Sequence, residues 1–173
     1  MSIFIIDENP HDCVMPLADA HLEEQLKLTA DILVEALKQR EITGPLLKGD
    51  LPLRDVIYVD WAMRDWDHFL WLVFYGMALI EEINHRHRTI PPFASAVYAA
   101  GSIGDALKDE EFGFPEEWPW TEAAQPYWHQ DVFVVYRHLL RDHYADECSR
   151  GDIPTWTRSE PPEWLTETGV LVR

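Results

Sequence analysis

Two motifs in the sequence place a carboxylate and an imidazole one helical turn apart. They are Asp65-Trp-Asp-His68 and Glu82-Ile-Asn-His85, and di-iron carboxylate bundles use this pairing to hold their metals. The histidine of the first motif and the glutamate of the second are fourteen residues apart. At about 1.5 Å per residue, that is about 21 Å along one helix, so the two motifs cannot share one ion. The acidic sets Glu23-Glu24 and Asp142-Asp146-Glu147 do not repeat the motif. We therefore predict no metal site and no cofactor, and we assign these charges to capped or solvated helix ends.

Nucleophilic catalysis has little support in the residue pattern. The sequence contains no G-x-S-x-G and no glycine-rich phosphate loop. Cys13 and Cys148 are the two cysteines; they lack metal-type spacing, and neither lies in electropositive surroundings that would activate a thiol. His21 lies on the side of its predicted helix that faces Leu28 and Ile32, away from the solvent stripe. Two roles remain open for it, a functional imidazole and a structural one.

The charge of the chain restricts its partners. In 173 residues there are 31 acidic and 14 basic side chains, giving a formal net charge of −17. Proteins that bind duplex DNA draw much of their affinity from Lys and Arg at the phosphates, so the chain as a whole repels DNA. The one dense basic stretch, His85 to Arg88, is also what a helix C-terminus favours. A small nucleotide needs only two or three local cations, and four arginines could supply them: Arg64, Arg86, Arg88 and Arg137.

An acidic stretch rich in aromatic residues predicts a protein-binding surface. Between Asp105 and Glu122 there are seven carboxylates and a single lysine, interleaved with Trp, Phe and Pro. Such a surface can imitate an array of phosphates and also offer aromatic anchors to a basic partner protein. The residues that would carry this binding are Glu110, Glu111, Glu116, Glu117, Trp118 and Trp120. The alternative is a solubilising loop that its aromatic side chains hold against the protein.

The elements that must position these residues are helical. Apolar residues at spacings of three and four predict an amphipathic helix over Leu17–Gln39, and a second helix over Asp60–His87 is apolar on nearly every face. Gly76 within the second helix indicates close packing. A short helix over Phe93–Ala100 and a last helix over Gln130–Arg150 complete the set.

We therefore predict an all-α fold in which residues 1–173 form a single domain. It is a compact bundle of three main helices plus a short helix, joined by long Trp/Pro-rich loops. The tail is too proline-rich for a helix interior and is expected to drape over the bundle with Trp156 and Trp164 as anchors. No apolar run is long enough to span a membrane and no signal peptide is visible, which favours the cytoplasm.

Several short motifs occur in the order found in one family. They are Phe4-Ile5-Ile6-Asp7, Leu17 to Leu22, Leu28 to Leu33, Trp61-Ala62, Trp71-Leu72, Gly76 with Ala78-Leu79, Glu81-Glu82, Asp131-Val132, Tyr136-Arg137, Trp156-Thr157-Arg158 and Pro161-Pro162-Glu163-Trp164. On these residues the chain resembles pyrimidine-dimer DNA glycosylases of the endonuclease V type and their phage-encoded relatives. The resemblance covers most of the chain and implies a compact helical fold.

The resemblance also implies a base-excision mechanism that uses an N-terminal amine. Removal of Met1 would leave Ser2 to supply this amine, His21 takes the family's histidine position, and Lys27 stands where the repair enzyme has an arginine. Leu28, however, occupies the position of the catalytic glutamate. A hydrocarbon side chain cannot relay a proton, so the chain is predicted to be a divergent member that lacks this step.

Two kinds of function follow from these observations. The favoured one is a phage-encoded accessory protein of the bacterial cytoplasm, an acidic module of the counter-defence or DNA-mimic type that binds a basic host or phage protein. The alternative is an enzyme: an N-glycosylase or lyase acting on a nucleotide or damaged base, or a metal enzyme built from carboxylates and histidines. A second carboxylate brought beside His21 in a cationic cleft would reverse this preference.

Overall fold

The computed structural model describes residues 3–47, 56–107 and 113–167, and these residues form helices joined by loops. Within these ranges there is no β-strand, and the predicted all-α fold is confirmed. The helices pack compactly against one another. They are α1 (Pro10–Val14), α2 (Asp19–Gln39), α3 (Val56–Ala62), α4 (Trp66–His87), α5 (Ala94–Leu107), α6 (Val132–Arg150) and α7 (Glu163–Glu167), with a 3-10 turn at Gln125–Tyr127.

Helices α2 and α4 form the centre of the fold. Helix α4 contacts α1, α2, α3 and α5, as expected for a helix that is apolar on nearly every face. Helix α2 is buried more deeply than an amphipathic pattern predicts, because every residue from Leu28 to Val34 is buried. The prediction of an amphipathic helix therefore holds at its ends, where pairs such as Glu23-Glu24 are exposed, and not in its middle.

The helix predicted over Asp60–His87 is not continuous, so that prediction was wrong. Helix α3 ends at Ala62 and α4 begins at Trp66. Asp65 between them has an extended backbone, and its Oδ1 accepts a hydrogen bond of 2.9 Å from the backbone N–H of His68. The same oxygen lies 2.6 Å from His68 Nδ1. The first carboxylate–imidazole motif is thus a helix N-cap.

Small residues let α5 lie close to α4. A Cβ atom added at Gly76 would lie 2.9 Å from Val97 Cγ1, and one at Gly104 would lie 2.9 Å from Leu70 Cδ2. The close packing predicted at Gly76 is therefore confirmed. Helix α5 also runs seven residues beyond the predicted end at Ala100, so residues 105–107 are helical and do not belong to an irregular acidic loop.

Helix α6 packs buried side chains such as Leu140 into the core and also forms hydrogen bonds to loops. The Tyr136 hydroxyl donates to Pro119 O at 2.9 Å, and Arg137 Nε donates to Ile6 O at 3.0 Å. The C-terminal segment crosses the start of α2, where Trp156 Nε1 donates to Pro16 O at 3.2 Å. The draped tail is confirmed for Trp156 and for Trp164, which packs partly buried against the core. In addition, a short helix, α7, follows Pro161-Pro162.

Among the described residues, no helix combines the length and the apolar character that crossing a membrane requires.

Candidate metal centre

Two histidines and a glutamate from distant parts of the chain meet between α2 and α6. His21 Nε2 lies 3.0 Å from Glu147 Oε2, and His143 Nε2 lies 3.5 Å from Glu147 Oε1. One nitrogen of each imidazole and one carboxylate oxygen all lie within 4.8 Å of one another. His143 and Glu147 are four residues apart on α6, so they project from the same face of that helix. We call this group the His21 cluster.

The cluster is largely buried, and His143 is its most exposed member. The side chain of His21 is 4% exposed, that of Glu147 17% and that of His143 30%. His143 Nε2 is buried and has no hydrogen-bond partner, although it lies next to the carboxylate. An unsatisfied buried polar atom is costly, and each such atom in a folded protein calls for an explanation. A bound cation between the imidazoles and the carboxylate would supply one.

Aromatic side chains and tail contacts hold the cluster in place. The rings of His21 and His143 meet edge to face with centroids 4.9 Å apart, and Tyr144 lies 5.4 Å from His21. The Tyr144 hydroxyl accepts from Ala18 N–H at 2.8 Å and donates to Pro16 O at 3.2 Å, which ties α6 to the residues just before α2. Burial raises the pKa of Tyr144, so its hydroxyl remains a donor.

The first turn of α2 is fixed from two further directions. Asp19 accepts hydrogen bonds from the backbone and side chain of Thr157 in the tail, and Arg86 on α4 donates to it at 3.1 Å. Although burial opposes the shift, the bonds from Thr157 and Arg86 hold the pKa of Asp19 below its usual value. Because Asp19 is two residues before His21, these contacts set the position of the imidazole.

The environment of His143 favours a neutral imidazole. Burial, followed by the electrostatic influence of the neighbouring His21, lowers the pKa of His143 below its ordinary value of 6.5, while Glu147 opposes the shift. Neutral imidazole is the form that binds metal ions.

The donor set fits a divalent transition metal. Two imidazole nitrogens and one carboxylate are the ligands of catalytic zinc sites and also of the facial triad of non-haem iron enzymes. In a tetrahedral site, ligands bound at ~2.1 Å from the ion are ~3.4 Å apart. The three donor atoms lie within 4.8 Å of one another, so they would have to draw closer together to hold an ion.

Of the residues that the family resemblance implies as catalytic, the two that the structure describes, His21 and Lys27, do not come together. Lys27 pairs with Asp31, its Nζ lying 2.6 Å from Oδ2, and is about half exposed. It lies six residues after His21, or about 9 Å further along the axis of α2. Leu28 is buried. Ser2 lies outside the described residues, as do Glu110 and Glu111.

The four arginines predicted to bind a nucleotide do not share a pocket. Arg86 is inside the protein, where it donates to Glu82 Oε1 at 2.6 Å and to the Leu17 carbonyl at 2.8 Å. Its donors bond to groups inside the protein, so it is not part of a surface site. Arg64 pairs with Glu117, and Arg88 ends α4 in a left-handed conformation at the surface. Arg137 lines a surface cleft that contains none of the other three.

The two tryptophans of the acidic stretch, Trp118 and Trp120, point inward. The ring of Trp118 lies 5.9 Å from that of Trp61, 5.2 Å from that of Trp71 and 5.2 Å from that of Phe133. Trp120 is also partly buried against the core, whereas Glu116 and Glu117 are exposed. Within residues 113–122, this stretch is thus held against the protein by its tryptophans, as the alternative prediction stated.

Sequence reasoning did not find the His143–Glu147 pair. The two residues lie four apart on a helix that was predicted, but Glu147 was considered only as a member of an acidic set. A search for a His-x-x-x-Glu spacing would have found the pair. Its convergence with His21 depends on how α6 packs against α2. The structure does bring a second carboxylate beside His21, and the rings of His143 and Tyr144 pack against that imidazole.

Comparison with known proteins found no matching family model, no similar curated protein and no similar solved structure. The resemblance to endonuclease V-type glycosylases therefore stays a prediction.

Proposed function

We propose that the protein binds one divalent transition-metal ion, of the Zn²⁺ class, through His21, His143 and Glu147. The observation that carries this proposal is the convergence of these three donors from two helices, with a buried imidazole nitrogen that no hydrogen bond satisfies. The metal enzyme that the sequence offered as an alternative is thus the function that the geometry supports best, although neither carboxylate–imidazole motif forms the site.

The proposed activity is metal-dependent hydrolysis. Zinc sites with three protein ligands keep a position for water, and the ion lowers the pKa of that water to about 7. In this chain, the side chains of His143 and Glu147 are partly exposed, so a substrate would approach the ion from their side. The buried His21 would fix the ion from below.

The metal content of the purified protein tests the proposal directly. Purified protein loaded with Zn²⁺ and then desalted should retain about one ion per chain, and Zn²⁺ should raise its melting temperature because it binds the folded state. His143→Gln and Glu147→Gln should lose the ion, because each removes one of three ligands. His138→Gln is the matched control, since His138 is an exposed histidine on the same helix. Equal zinc retention by the wild type and the Glu147→Gln variant would refute the site.

A second candidate function is the acidic protein-binding role. It is supported by the net charge and by exposed groups in the connection between α5 and α6, where Glu116 and Glu117 are accompanied by Phe114 and Trp128, which are 50% and 71% exposed. Because Trp118 and Trp120 pack inward, Phe114 and Trp128 would be the aromatic anchors. The partner would be a basic host or phage protein in a bacterial cytoplasm.

Charge reversal tests this second role. Binding to such a basic protein should weaken as salt rises, because electrostatic attraction is screened. The double variant Glu116→Lys and Glu117→Lys should reduce the affinity at least about tenfold. Reversal of the exposed pair Glu23 and Glu24 changes the net charge equally and should have a smaller effect. Equal losses in both double variants would show that net charge alone attracts the partner, which would contradict a defined surface.

A further inference from the structure

A cleft on the surface of α6 gathers basic side chains in an otherwise acidic protein. It has a volume of about 260 Å³ and is lined by Val134, Arg137, His138, Arg141 and Trp164. We call it the α6–α7 cleft, because Trp164 comes from α7. Its two arginines and one histidine stand out in a chain with 31 Asp and Glu but only 14 Lys and Arg side chains. The cleft therefore favours an anionic ligand.

Both guanidinium groups are held in position but keep donors for a ligand. Arg137 Nε donates to Ile6 O at 3.0 Å, and one terminal nitrogen lies 3.4 Å from Asp7 Oδ2. Arg141 donates from Nε and one terminal nitrogen to Asp142 Oδ1, at 3.1 and 2.9 Å. A guanidinium has five N–H donors, so these contacts use only part of each group. Fixed guanidinium groups are suited to phosphate because their planar donors match its oxygens.

The remaining walls of the cleft suit a flat ring. Trp164 and Val134 are apolar. A flat ring of the ligand could stack on the indole of Trp164 or on the plane of a guanidinium group. His138 and Arg141 also line a second cavity of about 250 Å³, together with Tyr127 and Gln130. A ligand larger than one ring therefore has adjoining space.

We propose that the α6–α7 cleft binds a nucleoside monophosphate, with the phosphate at Arg137, His138 and Arg141 and the base against Trp164. Of the four arginines predicted to serve a nucleotide, Arg137 alone lines this cleft, and Arg141 joins it. The cleft is separate from the His21 cluster, because Arg141 precedes His143 by two residues and so lies about 200° away around the helix. The two proposals therefore stand or fall independently.

Calorimetric titration of the purified protein tests the cleft with three probes. AMP should bind more tightly than adenosine or inorganic phosphate, because only AMP uses both the basic group and the indole. Arg141→Gln should weaken AMP binding at least about tenfold, because it removes a charged donor to phosphate. Arg150→Gln is the matched control, because Arg150 is an exposed, ion-paired arginine on the same helix. This variant should bind AMP as tightly as the wild type does.

Trp164→Leu should weaken AMP binding but leave phosphate binding unchanged. Adenosine that binds as tightly as AMP would overturn the role of the basic group, and phosphate that binds as tightly as AMP would overturn the role of Trp164. Loss of AMP binding in His143→Gln would contradict a site separate from the His21 cluster. Wild-type AMP binding by Arg141→Gln would overturn the proposal as a whole.

Discussion

His143 is the residue through which pH acts on the His21 cluster. The pKa of His143 is lower in the folded protein than its ordinary value of 6.5. As the pH falls, His143 is therefore protonated at a higher pH in the unfolded chain than in the folded protein. The stability associated with a neutral His143 is therefore complete above about pH 6.5 and is lost as the pH falls toward the lowered pKa.

The expected result is a free energy of unfolding that falls between pH 7 and pH 5, with a smaller fall in His143→Gln. Urea unfolding of both proteins across that range measures the difference. His138→Gln should retain the wild-type pH dependence, since His138 lies outside the cluster. Parallel curves for the wild type and His143→Gln would contradict the assignment.

The two cysteines are predicted to differ in reactivity. Burial raises the pKa of the Cys13 thiol to about 12, and its Sγ lies 3.1 Å from Asp7 O as a donor. Since the thiolate is the reactive form, Cys13 should resist iodoacetamide at pH 8 in the folded protein, whereas the partly exposed Cys148 should be labelled. Peptide mass spectrometry after timed labelling gives the answer. Labelling in urea is the control and should modify both residues, and labelling of Cys13 at the rate of Cys148 would contradict its burial.

At the scale of one residue, the sequence could predict which side chains are buried or closely packed, but not which distant residues are in contact. The inward side of His21 and the close packing at Gly76 both follow from helical periodicity, which is local. The approach of Glu147 to His21 joins positions 126 residues apart. Nothing in the spacing of either residue indicates that approach, because the Tyr144 and tail contacts that produce it are tertiary.

At the scale of helices, the junction between α4 and α5 depends on glycines that admit no side chain. In Gly76→Ala, the new methyl would lie 2.9 Å from Val97 Cγ1 and 3.2 Å from Thr29 Cγ2, which is closer than van der Waals contact. Overpacking of this kind costs about 1–3 kcal/mol, and the better helix propensity of alanine returns up to about 1 kcal/mol.

We therefore expect Gly76→Ala to lower the free energy of unfolding by about 1–2 kcal/mol, as measured by urea unfolding. Ser95→Ala, at an exposed position of α5, is the control and should change stability by less than about 0.5 kcal/mol. A Gly76→Ala variant as stable as the wild type would mean that Val97 moves aside without cost.

Helix boundaries were the least predictable feature at this scale. The apolar pattern from Trp61 to Ile80 continues through the break between α3 and α4, so periodicity alone gave one helix. The break arises because the Asp65 side chain accepts a hydrogen bond from the backbone N–H of His68 and so caps the start of a new helix. This side-chain bond takes the place of a backbone bond that would continue the first helix. Burial opposes the shift, but the hydrogen bonds from His68 hold the pKa of Asp65 below its usual value.

For the whole molecule, the sequence pattern predicted the fold class but not the arrangement of the helices. An all-α fold follows from the helical periodicity of the long segments, and the structure confirms it. The predicted bundle of three main helices understates the architecture, because α3, α4 and α5 all pack around α2. The candidate centre lies outside that group, where α6 and the tail meet the start of α2. Its existence thus depends on long-range packing that a single sequence does not specify.

The net charge of −17 leads to a prediction about the molecule as a whole. A large charge of one sign destabilises a compact state through self-repulsion, and salt screens that repulsion over a Debye length of about 10 Å at 0.1 M. Several of the ion pairs lie at the surface, such as Arg150–Asp146, and such pairs contribute only about 0–1 kcal/mol each. Screening of the repulsion should therefore outweigh screening of the pairs.

We expect the urea midpoint of the protein to rise between 20 and 500 mM NaCl, roughly the range over which the Debye length shortens from over 20 Å to under 5 Å. Reversal of Glu116 and Glu117 to lysine changes the net charge from −17 to −13, since each reversal adds two charges. This double variant should show a smaller rise, because less repulsion remains to be screened. A midpoint that falls with salt in both proteins would mean that attractive pairs, including the buried Arg86 with Glu82 and Asp19, dominate the electrostatic free energy of the fold.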